Sequence, residues 1–350
     1  MQDFYIIKII LLSTSAFIFA GLATPLLSNF LYKHHLGKKI RNSGATPIFS
    51  ELHAHKEGTP TMGGILIWGT VLIFSLLFLF LSNILPFDIF KNLNFLTRSE
   101  TLLPLGALIA SALIGLVDDW LDVRGKGSLG GGGLKMKHRL LIYAVIALIG
   151  ALWFYFKLDW TVFHIPFLGN FEISWWYIPV FMFVIVATSF SVNETDGLDG
   201  LAGGTLLIAF ACYGVIAFFS GLFELATFCG VIMGALLAFL WYNIPPARFY
   251  MGDTGSMSLG ITLGIIAMLT NDALLLPFIG FIFMTESLSV IIQLLSKKLR
   301  GGKKVFLSAP IHHHFQAVGW SESKVVMRFW VVAGVAASIG LVIFLLDKHY

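Results

Sequence analysis

Ten stretches of this sequence stay apolar for long enough to cross a bilayer, and that pattern rules out an ordinary soluble domain. They run over 5–24, 62–82, 102–117, 139–156, 175–192, 201–220, 223–242, 256–270, 273–295 and 325–346. A hydrocarbon core takes roughly 17–25 helical residues per crossing, so the third and eighth runs are the short ones. The composition agrees, at 57% hydrophobic, 12% charged and a mean hydropathy of +0.86, where a soluble domain is about 25% charged. The chain therefore reads as an all-α polytopic membrane protein, one integral-membrane domain over 1–350 with about ten transmembrane helices. The first run lacks the basic segment and small-residue cleavage site of a secretion signal and is read as a helix. Cys212 and Cys229 lie in neighbouring apolar runs without CxxC spacing, which points to buried small residues rather than a disulfide or zinc site.

The charges give the chain its orientation. Eighteen of the 23 Lys and Arg fall in the segments after the first, third, seventh and ninth runs, among them Lys33, Lys56, Arg124, Lys135, Lys137, Arg139, Arg248 and Lys297. The positive-inside rule puts those segments in the cytoplasm and both termini on the outer side. An even number of crossings satisfies that parity.

With the sides set, every uncommon polar motif is expected on the cytoplasmic face. These are "EGTPTMGG" (57–64), "VDDWLD" (117–122), "NETDGLDGLAGG" (193–204), "NIPPARFYMGDTGS" (243–256) and "APIHHHFQAVGW" (309–320). Such one-sided clustering fits a reaction centre at the membrane surface; a transport path places ionisable residues near the bilayer midplane. Asp118 and Asp119 end a helix, where carboxylates oppose the macrodipole, on a face otherwise biased to positive charge. Adjacent carboxylates need a cation or basic partner, and together with Asp253 they suggest a hard-oxygen site for Mg²⁺.

Other motifs are less pointed. Asp196 and Asp199 share a face if their segment is helical, with a helix N-cap as the plain alternative. "FYMGDTGS" sets Tyr250 and Asp253 beside glycines at a helix start, where free N–H groups favour phosphate. "RGKGSLGGGG" (124–133) lacks the phosphate-loop pattern and reads as a flexible connection. His312, His313 and His314 cannot all face one way on a helix, so a loop or broken helix is expected there, contacting anionic phosphate or sugar groups.

Taken in order, "GTPTMGG", "VDD", "TDGLDGLA", "FYMGDTGS", "PIHHHF" and "RFW" resemble the polyprenyl-phosphate N-acetylhexosamine-1-phosphate transferase superfamily over nearly the whole chain. "PIHHHF" is the element that singles out its muramoyl-pentapeptide branch. The resemblance implies transfer of phospho-MurNAc-pentapeptide from UDP-MurNAc-pentapeptide to undecaprenyl phosphate, giving lipid I and UMP with Mg²⁺, in the bacterial inner membrane. It implies Asp118, Asp119, Asp253, His312, His313 and His314 as catalytic residues. Lys56, Asn193, Asp196, Asp199, Asn243, Tyr250 and Gln293 would bind substrate, with Tyr250 stacking on uracil, and Asp253 and Asp196 would hold the metal. The partners are then the nucleotide donor, the lipid acceptor and membrane lipid, with no nucleic acid and with room for a homodimer.

The chain departs from the family's "SNAVNLTDG" at two places, where Phe190 and Glu194 replace asparagine and leucine. The rival readings are a sister transferase for N-acetylglucosamine 1-phosphate, which lacks the histidine motif, a cation-coupled transporter, and a structural scaffold.

Overall fold

The computed structural model describes residues 2–37, 58–125 and 133–349. Among them eight helices are long and apolar enough to cross a membrane. The first seven are α1 (Gln2–Lys33), α2 (Gly64–Ile84), α3 (Leu102–Val123), α4 (Met136–Lys157), α5 (Tyr177–Thr195), α6 (Leu201–Phe219) and α7 (Phe223–Asn243). Next come the shorter α8 (Asp253–Leu269) and α9 (Phe281–Leu299), which with Ala273–Ile279 forms a pair bent by 85°. A two-turn helix α10 (Ile311–Ala317) precedes α11 (Glu322–His349), the eighth long helix. All ten apolar runs are thus helical, and the third extends to Val123, so that "VDDWLD" lies inside α3. Beyond the all-α expectation the described residues include a hairpin, β1 (Val162–Ile165) with β2 (Gly169–Glu172), antiparallel with Val162 opposite Glu172.

The burial pattern is that of a bundle in lipid. On α1 the most exposed large apolar residues include Ile7, Leu22 and Leu26, whereas Lys8, Ala16, Ala20, Thr24 and Ser28 face inward. Lipid tails are as apolar as leucine, so helices associate through close packing of small residues rather than by hydrophobic burial. That rule explains α8, which has only 17 residues and is buried from Thr254 to Leu269. It need not match the bilayer thickness because other helices, chiefly α3 and α5, surround it. Its contact with α3 requires Gly115, where a Cβ would lie 2.4 Å from the Asp253 carbonyl oxygen. Any side chain there would push the start of α8 away from the end of α3.

Hydrogen bonds join the starts of α2, α4, α6 and α8 and the segments leading into them to the ends of α3, α5 and α7 and to one another. The polar motifs sit at these termini, so the connectivity gathers them at one end of the bundle.

Candidate active site

Arg139, one turn into α4, is the centre of the polar cluster. Its Nε donates to Asp118 Oδ2 at 2.8 Å, its Nη2 to Asp253 Oδ2 at 2.5 Å and its Nη1 to Asn193 Oδ1 at 3.2 Å. Asn193, in the last turn of α5, closes the ring by donating from Nδ2 to Asp253 Oδ1 at 2.6 Å and to Ser256 Oγ at 3.0 Å. Four helices are therefore pinned by one guanidinium, whose flat fork suits two carboxylates at once. The sequence counted Arg139 only as a cytoplasmic charge. An arginine within the first turn of an apolar run needs a partner, and that was the available signal.

The two adjacent aspartates of α3 have different tasks, although both are nearly fully buried. Asp118 takes Arg139 and the Leu134 backbone N–H, at 2.5 Å. Asp119 caps α8, accepting from the backbone N–H of Asp253 and Thr254, each at 3.0 Å, with the Thr61 hydroxyl at 3.4 Å. The expectation that the N–H groups starting α8 stand free for phosphate is corrected here: Asp119 occupies the first two. A carboxylate at that position is favourable for the helix dipole of α8, which offsets its unfavourable place at the end of α3. Gly252, with φ 74°, leads into this cap, and a Cβ there would fall 2.5 Å from Asp119 Oδ2.

The segment after α5 is a turn, not a helix, so Asp196 and Asp199 do not share a helical face. Asp196 Oδ2 accepts from Gly252 N–H at 3.2 Å, beside Asp253, whereas Asp199 Oδ2 accepts from Ala247 N–H at 3.0 Å. Asp199 does not cap α6, whose N-cap is Gly200. Its own N–H donates to Glu322 Oε1 at 2.7 Å, and Trp330 Nε1 of the "RFW" motif donates to the Gly200 carbonyl at 3.2 Å, so α11 fastens this turn.

Asn243 bridges the same turn to the α7–α8 loop, accepting from Gly200 N–H and donating to the Phe249 carbonyl, both at 2.9 Å. Gln293 is bonded to the α9–α10 connection through Val305 N–H, Phe306 N–H and the Phe306 carbonyl. Tyr250 is half-buried, its hydroxyl pushed up by burial and held by Thr59. Lys56 lies outside the described residues.

The three histidines occupy the helix α10, not a loop, and they face different ways as three consecutive helical residues must. His312 and His313 are buried, and His314 is half-buried. His312 Nδ1 is 2.9 Å from Glu286 Oε2 on α9, His313 Nδ1 is 2.9 Å from Gln316 Oε1, and His314 Nδ1 accepts from Leu307 N–H at 3.2 Å. Glu286 went unread in the sequence, although an acidic residue within an apolar run is a functional candidate by its position alone.

Among the described residues no three His, Cys, Asp or Glu side chains enclose a metal ion by themselves. The donors nonetheless fit Mg²⁺, which takes one or two carboxylates and fills its shell with water and substrate phosphate. Asp253 and Asp196, joined through the Gly252 N–H, are oxygen donors of that kind.

Residues 101–271 match Glycosyl transferase family 4, and residues 56–67 match the phospho-N-acetylmuramoyl-pentapeptide-transferase signature 1. A phospho-N-acetylmuramoyl-pentapeptide-transferase from Chloroflexus aggregans is 38% identical over 346 residues, covering 95% of this chain and 89% of the relative. The chain belongs to the phospho-N-acetylmuramoyl-pentapeptide-transferase family. Relatives of the same name from Desulforapulum autotrophicum, at 40% identity over 93% of this chain and 90% of the relative, and from Listeria monocytogenes, at 38% over 93% and 95%, agree. The match to this transferase family spans all the helix ends that build the cluster. Its signature contains Pro60 and Gly63, which bracket the Tyr250 backbone: Tyr250 N–H donates to the Pro60 carbonyl at 2.8 Å, and Gly63 N–H to the Tyr250 carbonyl at 2.7 Å.

Proposed function

We propose that this protein transfers phospho-MurNAc-pentapeptide from UDP-MurNAc-pentapeptide to undecaprenyl phosphate, releasing UMP and forming lipid I, at the cytoplasmic face of the bacterial inner membrane. The single observation that carries this reading is the Asp118–Arg139–Asp253–Asn193 ring at the bundle end where the family motifs meet. A lipid acceptor requires a site reachable from the bilayer, and a nucleotide donor requires one that opens to the cytoplasm. The terminus of a membrane bundle meets both needs.

One phosphoanhydride replaces another, so the reaction is close to thermoneutral, and the protein's task is positioning and charge compensation. Asp118, already oriented by Arg139, receives the lipid phosphate and orients its attacking oxygen. Arg139 swings from the carboxylates to the phosphates as they arrive, exchanging one set of anionic oxygens for another. Asp253 and Asp196 hold Mg²⁺, which supplies neutralisation of diphosphate charge when bound. Asn193 fixes the Asp253 carboxylate, while Asp119 holds the start of α8 in place. Tyr250 offers a face to the uracil, Asn243 and Asp199 shape the turn that flanks it, and Lys56 adds a cation at the donor. The histidines of α10 meet the sugar and phosphate end, and Gln293 steadies the segment leading to them.

The direct test is purified protein in detergent with undecaprenyl phosphate, Mg²⁺ and either UDP-MurNAc-pentapeptide or UDP-GlcNAc. UMP release with the first donor alone is expected; release with UDP-GlcNAc alone overturns the reading in favour of the sister transferase. Sidedness is checked by cysteines at Ser308 and Asn94 in a chain lacking the buried Cys212 and Cys229. Ser308→Cys should be labelled only from the cytoplasm and Asn94→Cys only from outside, and labelling of Ser308→Cys from outside removes the histidine helix from the proposed site.

A further inference from the structure

At the motif end of the bundle α2 packs against both α1 and α3, and between the ends of those two helices lies a groove of about 750 Å³. Its floor is the segment entering α2, and its walls include Phe30 on α1 and Val117 and Trp120 on α3. The mouth carries His34 and His35, which follow α1, and Arg124, which follows α3, all three exposed. Among the described residues that line the groove there is no carboxylate.

The Arg124 guanidinium lies over the Trp120 ring, 4.9 Å from its centroid. A planar cation held by its face still presents its edge N–H groups, the arrangement that grips a phosphate. From this mouth two apolar stripes run along the helices: Leu22, Leu26 and Phe30 on α1, and Leu113, Val117 and Trp120 on α3. All six are exposed, and in each stripe the next residue is three or four positions on, so each stripe is one helix face. Two apolar tracks below one cationic mouth match a lipid with two acyl chains and an anionic headgroup, the kind that basic pockets between membrane helices bind.

The groove also faces away from the ring around Arg139. Asp118 turns to Arg139, and Trp120, two residues on, stands about 200° around α3 from it. A headgroup on Arg124 therefore lies on the other side of α3 from Asp118. We infer that this groove binds an anionic phospholipid, its phosphate on Arg124 and the two histidines and its chains along α1 and α3. The site is separate from the proposed reaction and stands whether or not that reading holds.

The test titrates the full chain in neutral detergent with dioleoyl phosphatidylglycerol or dioleoyl phosphatidylcholine, read by native mass spectrometry. The two lipids share their chains and differ in net headgroup charge, and the first should bind about tenfold tighter. Arg124→Gln should weaken phosphatidylglycerol about fivefold, the worth of one cation near a lipid surface, and leave phosphatidylcholine unchanged. Replacing His34 and His35 together by Gln should weaken it again, while Lys297→Gln, on α9, should not. Equal affinity of wild type for the two lipids overturns the inference, as does wild-type preference in both groove variants. An equal loss in Lys297→Gln would reduce the effect to general surface charge and overturn it too. Undecaprenyl phosphate displacing phosphatidylglycerol, with turnover abolished by Arg124→Gln, would assign the groove to the acceptor instead.

Discussion

The two ends of the bundle handle buried charge in opposite ways. At the end away from the motifs, each hydrogen-bonded ion pair among the described residues joins one cation to one carboxylate. Lys8 Nζ meets Glu224 Oε2 at 2.5 Å and the Asn94 carbonyl at 3.0 Å, while His164 Nε2 meets Asp347 Oδ2 at 2.7 Å as Phe167 N–H donates to Asp347 Oδ1 at 2.6 Å. At the motif end, Asp118 and Asp253 share Arg139, with Asp119 and Asp196 close behind them on the start of α8 and on Gly252. Balanced pairs fasten helices. A surplus of carboxylate around a single guanidinium is unfavourable at rest and becomes favourable when a further cation arrives, as a divalent metal ion would be.

The largest expected effect tests the surplus end. Asp253→Asn keeps the shape and removes a charge, so turnover should fall at least about a hundredfold, the scale of one important electrostatic contact in a transition state, while the protein extracts and melts as wild type. Near-normal turnover with an unchanged Mg²⁺ requirement would move the metal elsewhere. At the balanced end the loss should be of stability instead: Lys8→Met strands Glu224 and should cost about 3 kcal/mol, the lower range for breaking a buried pair. Turnover below the melting point should hold, and Lys8→Met with Glu224→Gln should recover much of the loss. If Lys8→Met lowers turnover without lowering Tm, the two ends are not distinct in kind.

A smaller effect belongs to Tyr250. Stacking on a base contributes roughly 1–3 kcal/mol, so Tyr250→Ala should weaken donor binding about tenfold and Tyr250→Phe hardly at all, as read by calorimetry with the UDP donor. Equal losses would assign the role to the hydroxyl and its Thr59 contact.

The smallest is a pH effect at the balanced end. Burial lowers the His164 value, but the hydrogen bonds to Asp347 and Asn170 outweigh it, and the net shift is upward. A histidine raised on folding contributes stability that is complete below its unfolded value of about 6.5 and is lost as pH rises through the folded value. Wild type should therefore melt higher at about pH 5.5 than at about pH 8.5, and His164→Gln should narrow that gap. A gap unchanged by the substitution would assign the pH dependence to other groups.

Much of the candidate site was legible in the sequence because its polar residues are of types that lipid does not tolerate without reason. Asp118, Asp253, Asn193 and the histidines stood out as polar residues at the ends of apolar runs, and the structure brings the first three within hydrogen-bond reach of Arg139. Arg139 and Glu286 were passed over for the complementary reason. One was absorbed into the basic bias of its face and the other into the apolar run around it, and each takes its meaning from a partner more than twenty residues away.

The sequence by itself determined the class of the protein. Length and continuity of apolar runs are one-dimensional properties, and a bilayer converts them directly into helices; motif order, likewise linear, carried the family. The division of labour was decided only by the tertiary structure. Asp118 and Asp119 are neighbours in the chain, yet one pairs with Arg139 and the other caps α8, because successive residues on a helix point about 100° apart and so face different elements. Which turn His312 packs against, and which end of the bundle balances its charges, are likewise set by contacts between segments distant in sequence, and a linear pattern does not encode their directions.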